Sequence, residues 1–177
     1  MGRRTDGAPA SPGVISGGPP VAAAPAAQDA PGMSTNSTTP PSDASAPGPV
    51  RLNPGGWASG FRYDQAQLRP APTRILTIAG QGAIDPDGTL HHPGDLAAQF
   101  PVAVANVEEL LALGEMTLRD VLRLVVYVTD VDAALGAYGA LVERLDAAGA
   151  TPPATLVGVA RLALPGMAVE IEATAGR

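Results

Sequence analysis

Val121-Leu122-Arg123-Leu124-Val125-Val126-Tyr127-Val128 is the stretch that most narrows what this chain can become. It is almost continuously apolar and rich in β-branched residues, which suits a central strand. Helix-period patterns flank it on both sides. Asp95 is a good N-cap for a helix to about Leu113 that Gly114 ends. Leu96, Phe100, Ala103, Val107, Leu110 and Leu111 fall on one stripe of that helix. Pro101 lies inside it and removes a hydrogen bond to Ala97, so a kink or a fresh start at Pro101 is expected. Downstream, Asp132 is the expected cap of a second amphipathic helix that ends near Gly149, with Leu135, Tyr138, Leu141, Val142 and Leu145 inward.

The remaining strands are shorter. Apolar and polar residues roughly alternate over Phe61–Leu68, and Arg74–Ala79 follows after Pro70 and Pro72, which reads as two strands and a loop. Asp85-Pro86-Asp87-Gly88 suits a type I turn. A calcium loop would need a Glu twelve positions from its first Asp, and that position is Leu96. Thr155–Ala163 and Ala168–Thr174 read as two strands around a turn at Pro165-Gly166. The element order is β-β-(β)-α-β-α-β-β: an α+β fold, a mixed sheet with two helices packed on one face.

Residues 1–50 are another kind of chain. Pro, Gly, Ala and Ser make up 33 of the 50, and no apolar periodicity appears. Such a segment buries too little surface to offset about 1–2 kcal/mol of backbone entropy per residue, so disorder is expected. Polyproline segments at 19–25 or 40–49 are the partner-binding alternative, and Met33 is an alternative start. The folded domain is expected over 51–177, where 9 Arg and 14 acidic residues carry −5 of the net −6. Arg3-Arg4 precedes no continuous apolar stretch, which makes a poor export signal. No run of about 18 apolar residues suggests a membrane helix. A cytoplasmic protein is the expectation.

The chemical vocabulary is narrow. Cysteine is absent, which excludes disulfides, thiol nucleophiles and thiolate metal sites. Lysine is absent too, which removes Schiff-base chemistry. His91 and His92 are adjacent and cannot supply the separated imidazoles of a helical zinc site; no metal site is expected. A net charge of −6 argues against nucleic-acid or anionic-membrane partners. Carboxylates, Arg, Tyr, hydroxyls and backbone amides remain.

Five segments, in order over about 115 residues, carry a resemblance. They are Ala79-Gly80-Gln81; Gly94-Asp95 with Gln99; Asn106-Val107; Asp120-Val121 through Val125-Tyr127-Val128-Thr129-Asp130; and Gly158-Val159-Ala160-Arg161-Leu162 with Val169-Glu170-Ile171-Glu172-Ala173. In these the chain resembles the RidA (YjgF-like) family. The resemblance implies a chorismate-mutase-like fold and a homotrimer with its sheets inward and three clefts between subunits. It implies a small-molecule metabolite as partner, no cofactor, and hydrolysis of reactive enamines and imines to 2-oxo acids and ammonia.

Hydrolysis of a 2-imino acid needs an anchor for its carboxylate, ideally a bidentate Arg, and a group that orients water. The family's water-holding Glu matches Glu170, and its Tyr matches Tyr63. Its anchoring Arg falls at Ala154, before Thr155. The Ser before Gly80-Gln81 becomes Ala79, and an Asn on the second helix becomes Tyr138. The candidate site is thus Glu170 as the catalytic carboxylate, with Tyr63, Ala79, Gly80, Gln81, Tyr138, Ala154 and Thr155 around the substrate.

Each residue has a plainer reading. Glu170 and Glu172 share a strand face, which is alternatively only solvated. Arg161 lies opposite Ala154 by parity and reads as a structural ion pair. Arg123 interrupts an apolar strand and is expected to meet Glu170, Glu172 or a subunit interface. Tyr138 falls on the inward stripe as a core residue, Gln81 satisfies local backbone, and Trp57 covers a cleft edge or docks the domain's first segment. Two functions stay open: a RidA-type hydrolase with a shifted substrate, and a non-catalytic trimer that binds a small metabolite.

Overall fold

The computed structural model describes residues 48–177. The expected tail, its polyproline segments and Met33 lie, through residue 47, outside the described residues. In chain order the elements are β1 (Val50–Leu52), β2 (Ala66–Leu68), β3 (Ile75–Gln81), α1 (Leu96–Leu113), β4 (Val121–Val128), α2 (Val131–Ala137), α3 (Gly139–Ala148), β5 (Ala154–Gly158) and β6 (Val169–Gly176), with 3-10 turns at Gly56–Phe61 and Leu118–Asp120. The main sheet runs β3-β6-β4-β5. β6 is antiparallel to β3 and β4, while β4 and β5 are parallel and joined through α2 and α3. The apolar strand is therefore an inner one, as its composition requires.

One face of this sheet is covered. Ile78, Leu124, Val126, Val128, Val169, Ile171, Ala173 and Ala175 are buried in one cluster with the inward residues of the helices. The alternate residues Glu170, Glu172 and Thr174 face the other way and are half-exposed.

α1 starts where Asp95 accepts the Ala98 N–H at 3.0 Å, and the Gly114 N–H returns to Leu110. The helix runs unbroken through Pro101, so the expected restart there does not occur. Ala97 and Pro101 are both exposed, so the carbonyl that loses its partner turns toward water. α1 has the length and composition of a membrane span, but it packs as the core helix of this domain. Its two amides act as latches. Buried Gln99 donates to the His92 and Gly166 carbonyls and accepts from the Ala168 N–H, all at 2.8 Å. Asn106 donates to the carbonyls of Gly82 and Ile84.

The second helix departs from expectation. Asp130, not Asp132, caps it, by accepting the Ala133 N–H. It breaks at Tyr138 into α2 and α3, between Gly136 and Gly139, the weakest helix formers short of proline. The inward residues are Ala134, Tyr138, Leu141 and Leu145, while Leu135 is 49% exposed. Gly149 ends α3 with φ 62°, a left-handed turn that suits glycine.

Two strands are shorter than their patterns suggested. Phe61 closes a 3-10 turn, and the expected Phe61–Leu68 strand shrinks to β2, which pairs with β1 in a separate ribbon. The expected strand from Thr155 ends at Gly158, after which the Val159 N–H makes a last bond to the Val128 carbonyl. The Asp85–Gly88 turn forms as expected, with the Gly88 N–H on the Asp85 carbonyl at 2.9 Å.

Polar contacts dock the ribbon. The Asp64 side chain is fully buried and accepts from Arg51 Nε at 2.8 Å and from Asn53, Gln67 and Thr151 at 2.7 Å each. Burial alone pushes this carboxyl up, but the hydrogen bonds from Gln67, Asn53, Thr151 and Arg51 outweigh it and bring its pKa to about 2. A depressed carboxylate stabilises the fold above its unfolded pKa near 3.8 and stops doing so as pH falls toward about 2. Asp64→Asn is therefore expected to cost about 2 kcal/mol at neutral pH. It should also flatten the fall in stability between these two pH values, read from urea midpoints across pH.

Candidate functional site

Glu170 stands on the uncovered face of β6, opposite Tyr127 of β4, with Val157 of β5 in the same row. It makes no hydrogen bond or ion pair among the described residues. Its side chain lies over Gly80, where an added Cβ would collide with the carboxylate. A bulge in β3 between Ile78 and Gln81 sets Ala79 and Gly80 against the single Glu172. Close approach of carboxylate and backbone is thus what Gly80 provides. Gln81 turns back and donates to the Ala79 carbonyl at 3.1 Å, the local bond its plainer reading anticipated. Thr155 is exposed on the same face, in the row of Val125 and Glu172.

The carboxylates of β6 have different surroundings. Tyr127 donates its hydroxyl to Glu172, and this bond first, then desolvation and the charge of Glu172, raises the Tyr127 pKa. Arg123 does not form the expected ion pair. Beyond the β4 bulge it sits opposite Thr174, exposed and without an ion pair among the described residues.

Tyr63, Tyr138 and Ala154 lie elsewhere. Ala154 pairs with Leu124 and faces the helices, half-buried against the core, so the chain holds it and Glu170 on opposite sides of the sheet. Tyr138 is buried, in edge contact with Phe100 and Phe61; Phe61 leads on to Tyr63, and Tyr63 to the exposed Trp57. Five of the chain's six aromatics thus form one connected group. Burial, and secondarily Tyr63, pushes the Tyr138 phenol up to about 12.

Tyr63 also lines a cavity of about 150 Å³ with Arg51, Asn53, Arg62 and Thr151. Arg62 is in the left-handed region at φ 55°, which costs a non-glycine residue about 1 kcal/mol. One terminal nitrogen of Arg62 pairs with Asp146, while its Nε is buried and makes no hydrogen bond. Arg51, Arg62 and Asp64 carry no motif in the sequence; the only signal is a charge on each side of Tyr63. A second cavity of about 420 Å³ is lined by Arg161, Leu162, Gly166 and Met167 among others. Arg161 lies on the loop beyond β5, so strand parity does not apply to it, and it makes no ion pair among the described residues. Neither cavity is lined by Glu170.

His91 contacts Asp85 at 2.6 Å, and no group of three or more metal-ligating side chains occurs among the described residues. A spectrophotometric tyrosine titration tests the electrostatics. Glu172→Gln should let Tyr127 ionise at lower pH than in the parent, and Tyr138→Phe should remove a step near pH 12. Unchanged curves would mean that these hydroxyls have other surroundings.

Residues 58–176 match the family model described as Endoribonuclease L-PSP. No curated protein matches the chain. Among solved structures, a Rid-family protein of unknown function from Yersinia pestis, YyfB, is 34% identical, with 73% of this chain and 98% of that one covered and a TM-score of 0.64. The Escherichia coli YjgF gene product is 26% identical, covering 65% and 87%, with a TM-score of 0.53. RidA from an Antarctic Psychrobacter shares the fold at 24% identity, covering 72% and 94%, with a TM-score of 0.53. With two thirds of its length on the family model and the Rid sheet-and-helix fold behind it, the chain belongs to the RidA (YjgF-like) family.

Proposed function

We propose that this protein is a cofactor-independent hydrolase of a small imine or enamine, working in clefts between the subunits of a homotrimer. The observation that carries this reading is Glu170: a half-exposed carboxylate with no protein partner among the described residues, held against the Gly80 backbone. Such a group is available to a water molecule. It takes a proton as the water oxygen attacks the C=N carbon, then returns a proton to nitrogen as the C–N bond breaks. A 2-imino acid and water thus give a 2-oxo acid and ammonia, with no redox change.

The division of the site over two faces supports assembly. Tyr63 and Ala154 of one copy meet Glu170 only if a second copy brings its uncovered sheet face to them. That face also leaves apolar surface, such as the 66% exposed Ile75, that an oligomer would bury. The family model's description names an endoribonuclease. A chain of net charge −6 with no lysine offers little to a phosphate backbone, and a small molecule fits it better.

A second reading, a trimer that binds a metabolite without turning it over, draws on Ala79, Tyr138 and Ala154 in place of the family's polar residues. Ammonia release from freshly generated 2-iminobutanoate separates the two. The parent should release ammonia, and Glu170→Ala should lower kcat at least about 100-fold with little change in thermal stability. Activity in Ala154→Arg alone would mean that the water site is intact and the substrate has moved. Three inert proteins would favour the binding reading. Coexpressed Glu170→Ala and Tyr63→Ala chains should be more active together than either alone, because mixed oligomers rebuild some intact clefts.

A further inference from the structure

We infer that Trp57, with Phe61 and Tyr63, forms a specificity wall, and that the compound this protein handles carries an aromatic ring. The inference rests on the reading of Tyr63 as part of the substrate cleft, and it narrows the substrate class by its side chain. Aromatic residues are scarce in this chain, and its core is mostly Ala, Val, Leu and Ile. Yet its one Trp is 68% exposed and Phe61 is 41% exposed. Rings left in water forgo the burial that drives folding, and a grouped apolar patch of this kind marks a binding surface.

The two exposed rings are grouped. Both meet Tyr63, Trp57 edge-on at 6.0 Å and 75°, Phe61 tilted at 6.4 Å and 36°. Their inner end is fixed, because Phe61 contacts Tyr138 and Tyr138 contacts Phe100 in the core. The wall is therefore backed by packed rings, and an edge-on pair leaves a ring face open for a further aromatic partner. Tyr63 also lines the cavity of about 150 Å³, a volume that holds one benzene ring. Arg51 and Arg62 line the same cavity, and guanidinium planes stack on aromatic faces. Arg51 is steadied for this by its Nε bond to Asp64. Gly55 lets the backbone pass beside the indole: an added Cβ there would stand 3.3 Å from the Trp57 ring. A methyl or ethyl side chain would leave this wall uncovered, whereas a phenyl group covers it.

The test compares two ligands that differ only in a ring, 2-oxobutanoate and 2-oxo-4-phenylbutanoate, by calorimetric titration of the full chain. The parent and Glu170→Gln are expected to bind the phenyl compound at least about tenfold more tightly, as burial of one ring on an aromatic surface provides. Trp57→Ala should lose about 5- to 10-fold for the phenyl compound and less than about twofold for 2-oxobutanoate. Trp57→Phe should restore most of the preference. Trp57 is the chain's only indole, so its fluorescence reports on this wall alone. The phenyl compound should shift the emission to shorter wavelength as water leaves the ring, and 2-oxobutanoate should not. Equal affinities in the parent, binding of neither compound, or equal losses for both in Trp57→Ala would each overturn the wall. So would free-protein emission already at the wavelength of a buried indole and unmoved by ligand, because protein would then cover Trp57. The hydrolase reading is judged separately. Ammonia release from 2-iminobutanoate and its 4-phenyl analogue with equal kcat/KM would sink the wall and keep the enzyme. A phenyl preference in binding with neither imine hydrolysed would keep the wall and sink the enzyme.

Discussion

The alternation along β6 governs the rest of the structure. Val169, Ile171, Ala173 and Ala175 go under the helices, and Glu170, Glu172 and Thr174 go to the face that the helices leave bare. Because side chains on a strand alternate, moving the register by one residue would put two carboxylates into an apolar core, at a cost of several kcal/mol each. The register of β6 against β3 and β4 is therefore held strongly. With it come the position of Glu170 over Gly80 and the separation of Glu170 from Ala154. The sheet that builds the core is also what divides the candidate site.

Polar side chains complete what a core of small residues leaves open. With few aromatics, the centre is mostly Ala, Val, Leu and Ile, and most of the rings are drawn into one chain from Phe100 out to Trp57. The loops at the helix end are tied by single amides instead. Gln99 joins the His92 and Gly166 turns, and Asn106 holds Gly82 and Ile84. The ribbon of β1 and β2 buries little, and it stays in place through the donors gathered on Asp64. Each bond contributes about 1 kcal/mol when made and costs more than that when one buried partner is removed. These three side chains are thus structural, and one of them, Asp64, holds the segment on which Arg62 and Tyr63 sit.

Much of this fold is legible in the sequence. β4 matched its apolar run end to end, α1 ran from its Asp cap to its Gly stop, and the Asp85 turn closed as its residues specify. These elements are written in local chemistry: capping, branching at Cβ and turn preference. The second helix was harder to read because Asp130 and Asp132 are both chemically able to cap. Which one does so depends on where β4 releases the chain, and the choice shifts the inward stripe from Leu135 to Ala134. The Phe61 and Arg161 segments alternate like strands, but no neighbouring strand extends to pair with them, and pairing is not a local property.

The candidate site divides along the same line. Its chemical inventory followed from the sequence alone: no thiol, no lysine, no separated imidazoles, and a carboxylate on the last strand. Residue identity limits what reactions are possible, and it can be read one letter at a time. Only the tertiary structure decided that Glu170 and Ala154 face opposite sides of the sheet, that Gly80 is the backbone under the carboxylate, and that Arg62 leaves a buried donor beside Tyr63. The first two are relations between residues far apart in the chain, created by strand register and a bulge, and the third depends on the packing around a left-handed residue. Register and packing are not properties of a sequence window.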